Sequence, residues 1–116
     1  DAGWQEVSLA ISADWANRPL RRIDAVRGKP SVTRWRVLGQ DAVSGTTRVI
    51  LEPRTGRSHQ LRVHMTAIGH PIIGDALYAP THIAAKSLRL LLHATRLELT
   101  HPKTAKPLTF SSQPPF

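Results

Sequence analysis

Residues 54–64 read Arg54-Thr55-Gly56-Arg57-Ser58-His59-Gln60-Leu61-Arg62-Val63-His64, bringing three arginines, two histidines and a glutamine into eleven positions. Gly56 allows a tight turn, and an apolar helical period starts just after it. A helix entry of this kind presents backbone N–H groups to solvent, and guanidinium groups beside them strengthen the attraction for an anion. The stretch therefore reads either as a site for RNA or phosphate or as a solvated basic helix start. Arg34 and Arg36 alternate with Trp35 and would extend a basic track along one strand face.

Other chemistries fail on spacing. His59 and His64 are five residues apart, roughly 140° around a helix, so they cannot form the i, i+4 pair that a helical metal site uses. His70, His82, His93 and His101 form no cluster, and no metal site is expected. No Gly-x-Ser-x-Gly elbow, phosphate loop or dinucleotide fingerprint occurs, and there is no cysteine to act as a nucleophile. The 8 acidic residues are scattered singly; Asp75 reads as a turn residue, and Asp14 as one that bonds its own loop backbone. Nothing in the chain pairs a nucleophile with an activating base.

The elements that must hold this stretch are mostly strands. Val7, Leu9 and Ile11 alternate with polar or small residues, the period of a half-buried strand. Residues 14–19 break that pattern as a loop, and residues 28–30 form a turn. Residues 31–38 and 46–52 flank a turn at 41–45 and make a hairpin, with Thr33, Trp35 and Val37 on one face and Arg34 and Arg36 on the other. Leu61, Met65 and Ile68 then mark the inward stripe of a helix with Ser58 as N-cap and Gly69 as its left-handed end, while His59, Arg62 and Thr66 share a polar face. A short helical turn is expected within 81–87. A strand is expected over 88–100, bulged near Ala94 and buried on both faces at Leu90-Leu91-Leu92. A turn at 101–105 and a closing strand at 106–111 complete an α+β domain, a mostly antiparallel mixed sheet with one main helix. The tryptophans at 4, 15 and 35 read as packing anchors rather than base-stacking platforms.

With 116 residues the chain can bury roughly two-thirds of its unfolded surface around one core. Its formal net charge of +8, mostly from arginine, fits a polyanionic partner, or a piece whose acidic complement lies elsewhere in a longer chain. No apolar run approaches the ~18 residues of a membrane span, so no membrane partner is expected. The absence of cysteine fits a cytoplasmic location.

The stretch Gly56-Arg57-Ser58-His59-Gln60-Leu61-Arg62-Val63-His64-Met65, followed by Gly69-His70-Pro71-Ile72-Ile73-Gly74-Asp75 and Tyr78, resembles the C-terminal signature of the RluA family of RNA pseudouridine synthases. Arg89-Leu90-Leu91-Leu92-His93-Ala94, then Leu97 and Thr100-His101-Pro102, match a second family motif, and Asp14-Trp15-Ala16-Asn17-Arg18-Pro19 with Gly28-Lys29-Pro30 resemble the segment ahead of the first. The resemblance implies isomerisation of uridine to pseudouridine in ribosomal or transfer RNA stem–loops, without a cofactor. The target nucleotide is flipped out, an aspartate attacks, and the base detaches, rotates and rejoins through carbon.

The family's His-Arg-Leu-Asp motif with that aspartate, and the tyrosine that packs on the base, do not occur here. The resemblance therefore implies the C-terminal part of a catalytic domain, inactive alone. Arg62 matches the arginine that pairs with the catalytic aspartate, and Leu92 and His93 match an active-site wall, although Leu92 could equally be strand core. Arg54, Arg57, His59 and Gln60, with Arg34 and Arg36, are the expected RNA contacts. Strand edges separated from the rest of such a sheet are expected to promote self-association. A non-catalytic RNA-binding module is the alternative.

Overall fold

A computed structural model describes residues 3–93, 96–100, 107–111 and 114–116. In order it contains β1 (Gln5–Ser8), β2 (Ile11–Ala13), a 3-10 turn (Trp15–Asn17), β3 (Arg21–Ile23), β4 (Val32–Asp41), β5 (Thr46–Pro53), α1 (Gln60–Ala67), α2 (Thr81–Ala84), β6 (Arg96–Thr100) and β7 (Pro107–Ser111). This is the expected α+β architecture with one main helix. All pairings are antiparallel, but they form three small sheets, ordered β1-β4-β5, β2-β3 and β6-β7.

The alternation through Val7, Leu9 and Ile11 serves two sheets. Val7 pairs with Thr33 on β4, whereas Ile11 pairs with Ile23 on β3. The chain passes between them without losing its ladder, because Leu9 N donates to Ser31 O at 3.2 Å and Ile11 N to Lys29 O at 3.0 Å. The β4–β5 hairpin runs in register from Thr33↔Pro53 to Asp41↔Thr46, with a bulge between Val37 and Gly39. Its turn is closed by Asp41 Oδ1, which accepts from Val43 N at 2.9 Å and Ser44 N at 3.4 Å. Those two N–H bonds hold the Asp41 carboxyl below its ordinary pKa.

Helix α1 ends as its sequence implies and begins differently. Gly69 takes φ +87°, its N–H bonds Thr66 O at 3.1 Å and His70 N bonds Met65 O at 2.9 Å, the paired bonds of a Schellman stop. The N-cap is His59, in the left-handed region at φ 57°, rather than Ser58, and no side chain caps the first turn. The reason lies in Gln60: its Oε1 accepts Arg57 N at 3.1 Å and Thr55 Oγ1 at 2.6 Å, so the entry turn is held by a residue inside the helix.

The buried face of α1 also differs. Gln60, Val63, His64 and Met65 are buried, whereas Leu61 and Ile68 of the expected stripe are only half-buried. The helix packs on β3, β4 and β5. Fully buried apolar side chains among the described residues are Val7, Ile11, Val63 and Met65, beside buried Ser31, Thr33, Gln60, His64 and Asp75. Hydrogen bonding therefore shapes this interior as much as apolar contact does.

Residues 88–93 are not a strand, and Leu90, Leu91 and Leu92 are half-buried, not enclosed on both faces. A run buried on both sides needs a neighbour on each, and here Leu91 N to Ile73 O (3.0 Å) supplies a bond on one side. The approach is close at Gly74, where a Cβ would meet Arg89 O at 2.0 Å. Helix α2 matches the expected helical turn. The bulge at Ala94 and the turn at 101–105 lie outside the described residues. Among the described residues no helix is long and apolar enough to cross a membrane.

Candidate functional site

The site is built on a polar network beneath the start of α1. Gln60 Nε2 donates to Val32 O at 2.9 Å and to Thr33 Oγ1 at 3.0 Å. Thr33 Oγ1 lies 2.8 Å from His64 Nδ1, and His64 Nε2 lies 2.8 Å from Leu9 O. A carbonyl can only accept, so Nε2 carries the ring proton and Thr33 donates its hydroxyl proton to Nδ1. Three side chains thus tie the helix to β4 and to the β1–β2 connection, and the helix orientation follows from donors and acceptors rather than from Leu61.

That orientation sets Arg62 beside the segment after the helix. Its Nη2 donates to Asp75 Oδ1 at 2.6 Å, with the Arg62 side chain 18% exposed and that of Asp75 0%. Asp75 Oδ1 also accepts from Leu77 N at 3.1 Å and Tyr78 N at 3.2 Å. Burial pushes the Asp75 carboxyl up, but the bond to Arg62 and the two backbone bonds outweigh it, so its pKa falls below the ordinary carboxylate value. Tyr78 completes the cluster. Its ring lies 5.3 Å from the Arg62 guanidinium carbon, and its hydroxyl accepts Arg21 N–H at 2.9 Å and sits 2.6 Å from His59 Nδ1. Burial, then the charges of Arg62 and Arg21, lower the His59 pKa below 6.5 against an opposing pull from Asp75. His59 Nδ1 and the Tyr78 hydroxyl are thus joined by one short hydrogen bond. The φ of 57° at His59 is the one positive value at a non-glycine among the described residues, so the imidazole is held against backbone preference.

The Arg62 side chain is not wholly enclosed, at 18% exposure. Its Nε is buried with no hydrogen-bond partner among the described residues, as is Asp75 Oδ2. An arginine that is oriented by one buried carboxylate and still has a donor unused can hold a second carboxylate or an anion. Asp75 is itself enclosed, and its carboxylate holds Arg62 in place.

The remaining candidates separate. Arg57 donates from Nε (3.2 Å) and Nη2 (3.0 Å) to Pro30 O, which plants it on the 28–30 turn. Gln60, expected among the RNA contacts, is 3% exposed with both ends of its amide engaged inside the protein, so it is corrected to an interior support. On the outer sheet face Arg34 and Arg54 both reach Glu52 Oε1, at 3.4 and 3.2 Å, and Arg34 and Arg36 lie over Trp4 at 4.6 and 5.4 Å. Leu92 and His93 are half-buried, in the run that bonds Ile73 two residues before Asp75. Asp14 takes the Asn17 side-chain amide at 3.1 Å rather than bonding loop backbone. Trp15 is 72% exposed and not a packing anchor. Asp75, Tyr78 and Arg21 are the site residues that spacing missed; the signal for the first two is the ordered run from Gly74 to Tyr78, in which Asp75 reads as a turn residue, and Arg21 has none. No group of residues that could hold a metal occurs among the described residues.

A protein-family model described as RNA pseudouridylate synthase matches residues 4–67, a span that contains Arg62 and the whole polar network. The chain belongs to that family. It is 52% identical over 111 residues to the dual-specificity RNA pseudouridine synthase RluA of Pasteurella multocida (strain Pm70), covering 96% of this chain and 50% of that protein. It is 47% identical over 110 residues to the protein of the same name from Escherichia coli (strain K12), covering 95% and 50%. The solved structure titled Human RNA Pseudouridylate Synthase Domain Containing 1 superposes with a TM-score of 0.80 at 32% identity, over 98% of this chain and 49% of that one. The chain spans about half the length of the curated relatives it matches.

Proposed function

We propose that these residues form the C-terminal part of the catalytic domain of an RNA pseudouridine synthase, which isomerises uridine to pseudouridine in stem–loops of ribosomal RNA, transfer RNA or both. The observation that carries this reading is the Arg62 centre: a guanidinium fixed by buried Asp75 and stacked near Tyr78, with Nε unpartnered among the described residues. In the proposed mechanism the nucleophilic aspartate comes from a segment outside these residues and meets the part of Arg62 that remains exposed. A guanidinium at that distance keeps a carboxylate ionised and aimed, which is the form that attacks. Leu92 and His93 line the pocket, while Arg57 and His59 border it. Arg34, Arg36 and Arg54 present positive charge to the RNA backbone from the outer sheet face. Substrates of this kind put the reaction in the cytoplasm.

The dual-specificity RNA naming of the relatives supports testing two RNA substrates, and ribosomal and transfer RNA are the two to try first. The decisive experiment measures pseudouridine formation by the intact protein on both RNAs. Arg62→Ala should lower turnover on the order of 10³-fold, the size of losing one charged group at a reacting centre, with RNA affinity nearly kept. Near-normal turnover by that variant would refute the assignment. Residues 1–116 by themselves should bind RNA in a salt-dependent way and form no pseudouridine. Their free β1 and β5 edges should make them self-associate, which light scattering would read as mass above the monomer.

A further inference from the structure

The β2–β3 hairpin and the 56–58 turn enclose an open cleft of about 560 Å³ that the Arg62 centre does not use. Five cations line it: Arg21, Arg22, Arg27, Lys29 and Arg57. Its one carboxylate, Asp24, is occupied with the hairpin's own turn, accepting Val26 N at 3.0 Å, Arg27 N at 2.9 Å and Ser12 Oγ at 3.2 Å. Arg22 reaches it only at 3.7 Å, and neither Arg27 nor Lys29 has an ion-pair partner among the described residues. At the rim stands Trp15, 72% exposed, with the Arg18 guanidinium carbon 5.2 Å from its ring centre.

Small-molecule pockets are mostly apolar with a few polar groups. This cleft instead sets several cations around an exposed aromatic ring. Charge along a backbone track combined with a ring for a base to lie on is how proteins hold single-stranded nucleic acid. The cleft also adjoins the candidate active site. Arg21 lines it while its N–H bonds Tyr78, and Ser58 precedes His59.

We propose that this cleft is a docking subsite for the single-stranded RNA flanking the target uridine, with phosphates held by Arg22, Arg27 and Lys29 and an unpaired base stacked on Trp15. This rests on the pseudouridine synthase reading and deepens it, because it assigns RNA recognition to a surface apart from the reacting centre. The stacked base lies outside the pocket that takes the flipped uridine. Subsite residues therefore act on how well RNA binds rather than on how fast bound RNA reacts.

The experiment uses the intact protein and a stem–loop RNA that it converts. A triple variant, Arg22→Gln, Arg27→Gln and Lys29→Gln, changes three exposed side chains and leaves the Asp24 turn intact. It should raise KM roughly tenfold and reduce the slope of log affinity against log salt by about 2, three single-strand phosphate contacts at ~0.7 each. Trp15→Ala should raise KM roughly tenfold, and Trp15→Phe should restore most of it, since any aromatic face stacks a base. Unchanged KM and salt slope in the triple variant, or a loss confined to kcat, would overturn the subsite and leave the synthase reading standing. If the unaltered protein converts no RNA, the synthase reading fails and the subsite fails with it.

Discussion

The two ends of the β4–β5 hairpin share one strand pattern and meet different fates. At the inner end Thr33 is 0% exposed, bonded to Gln60 and His64, and paired with Val7 on a third strand. At the outer end, beyond the bulge and around the turn, Val37, Leu38 and Val43 are exposed, with Val43 at 98%. Apolar residues stand at both ends, so their presence cannot be what distinguishes them. What differs is a partner: α1 and β1 cover the inner end, and none of the described elements covers the outer one. A strand's period says which residues share a face, and only a second layer makes that face a core.

This difference predicts a gradient of sensitivity, largest at the helix and smallest at the hairpin tip. Asp75→Asn breaks a buried ion pair and should destabilise the intact protein by about 3 kcal/mol in urea unfolding, with Arg62 left misaimed and turnover reduced. A change under about 0.5 kcal/mol would mean that Arg62 is oriented by something else. Thr33→Val keeps the shape and removes the hydroxyl between Gln60 and His64; leaving two buried groups short of a partner should cost about 2 kcal/mol. Stability equal to that of the unaltered protein would remove the network from the account of the inner end.

Acidity probes the same end more gently. The native pKa of His59 lies below its unfolded value, so the native state binds fewer protons than the unfolded state as pH falls through 6.5, and stability declines across that window. Asp75 is also lowered, so its contribution is complete above the usual carboxylate range and is lost as pH falls through its native pKa. Histidine NMR titration should place His59 below 6.5, and a midpoint above it would reverse the sign of the first phase. Val43→Thr, at the tip, should shift stability by less than about 0.5 kcal/mol. A larger loss would show that the outer end has a partner in the intact protein.

The separation of Asp75 from the Trp15 cleft shows how far local reading extends. Both lie in motifs that stand out in the sequence, and both were assigned by what flanked them: Asp75 to a turn, Trp15 to packing. Asp75 does close a turn, with the N–H groups of Leu77 and Tyr78, but its main partner is 13 residues earlier in the chain. Trp15 has a cation–π partner in Arg18, three residues on, and no core over it.

The sequence by itself determined what depends on near neighbours: the hairpin and its Asp41 turn, the Schellman stop at Gly69, the arginine-rich helix entry, and through its ordered motifs the family. Tertiary structure alone decided which side of α1 looks inward, that Gln60 supports rather than contacts, that Arg62 meets Asp75, and that Leu90 to Leu92 are only half-covered. Turns and caps are satisfied by atoms within a few residues, so their residue types announce them. A buried donor takes whichever acceptor the fold brings near, and for His64 that is Leu9, 55 residues away.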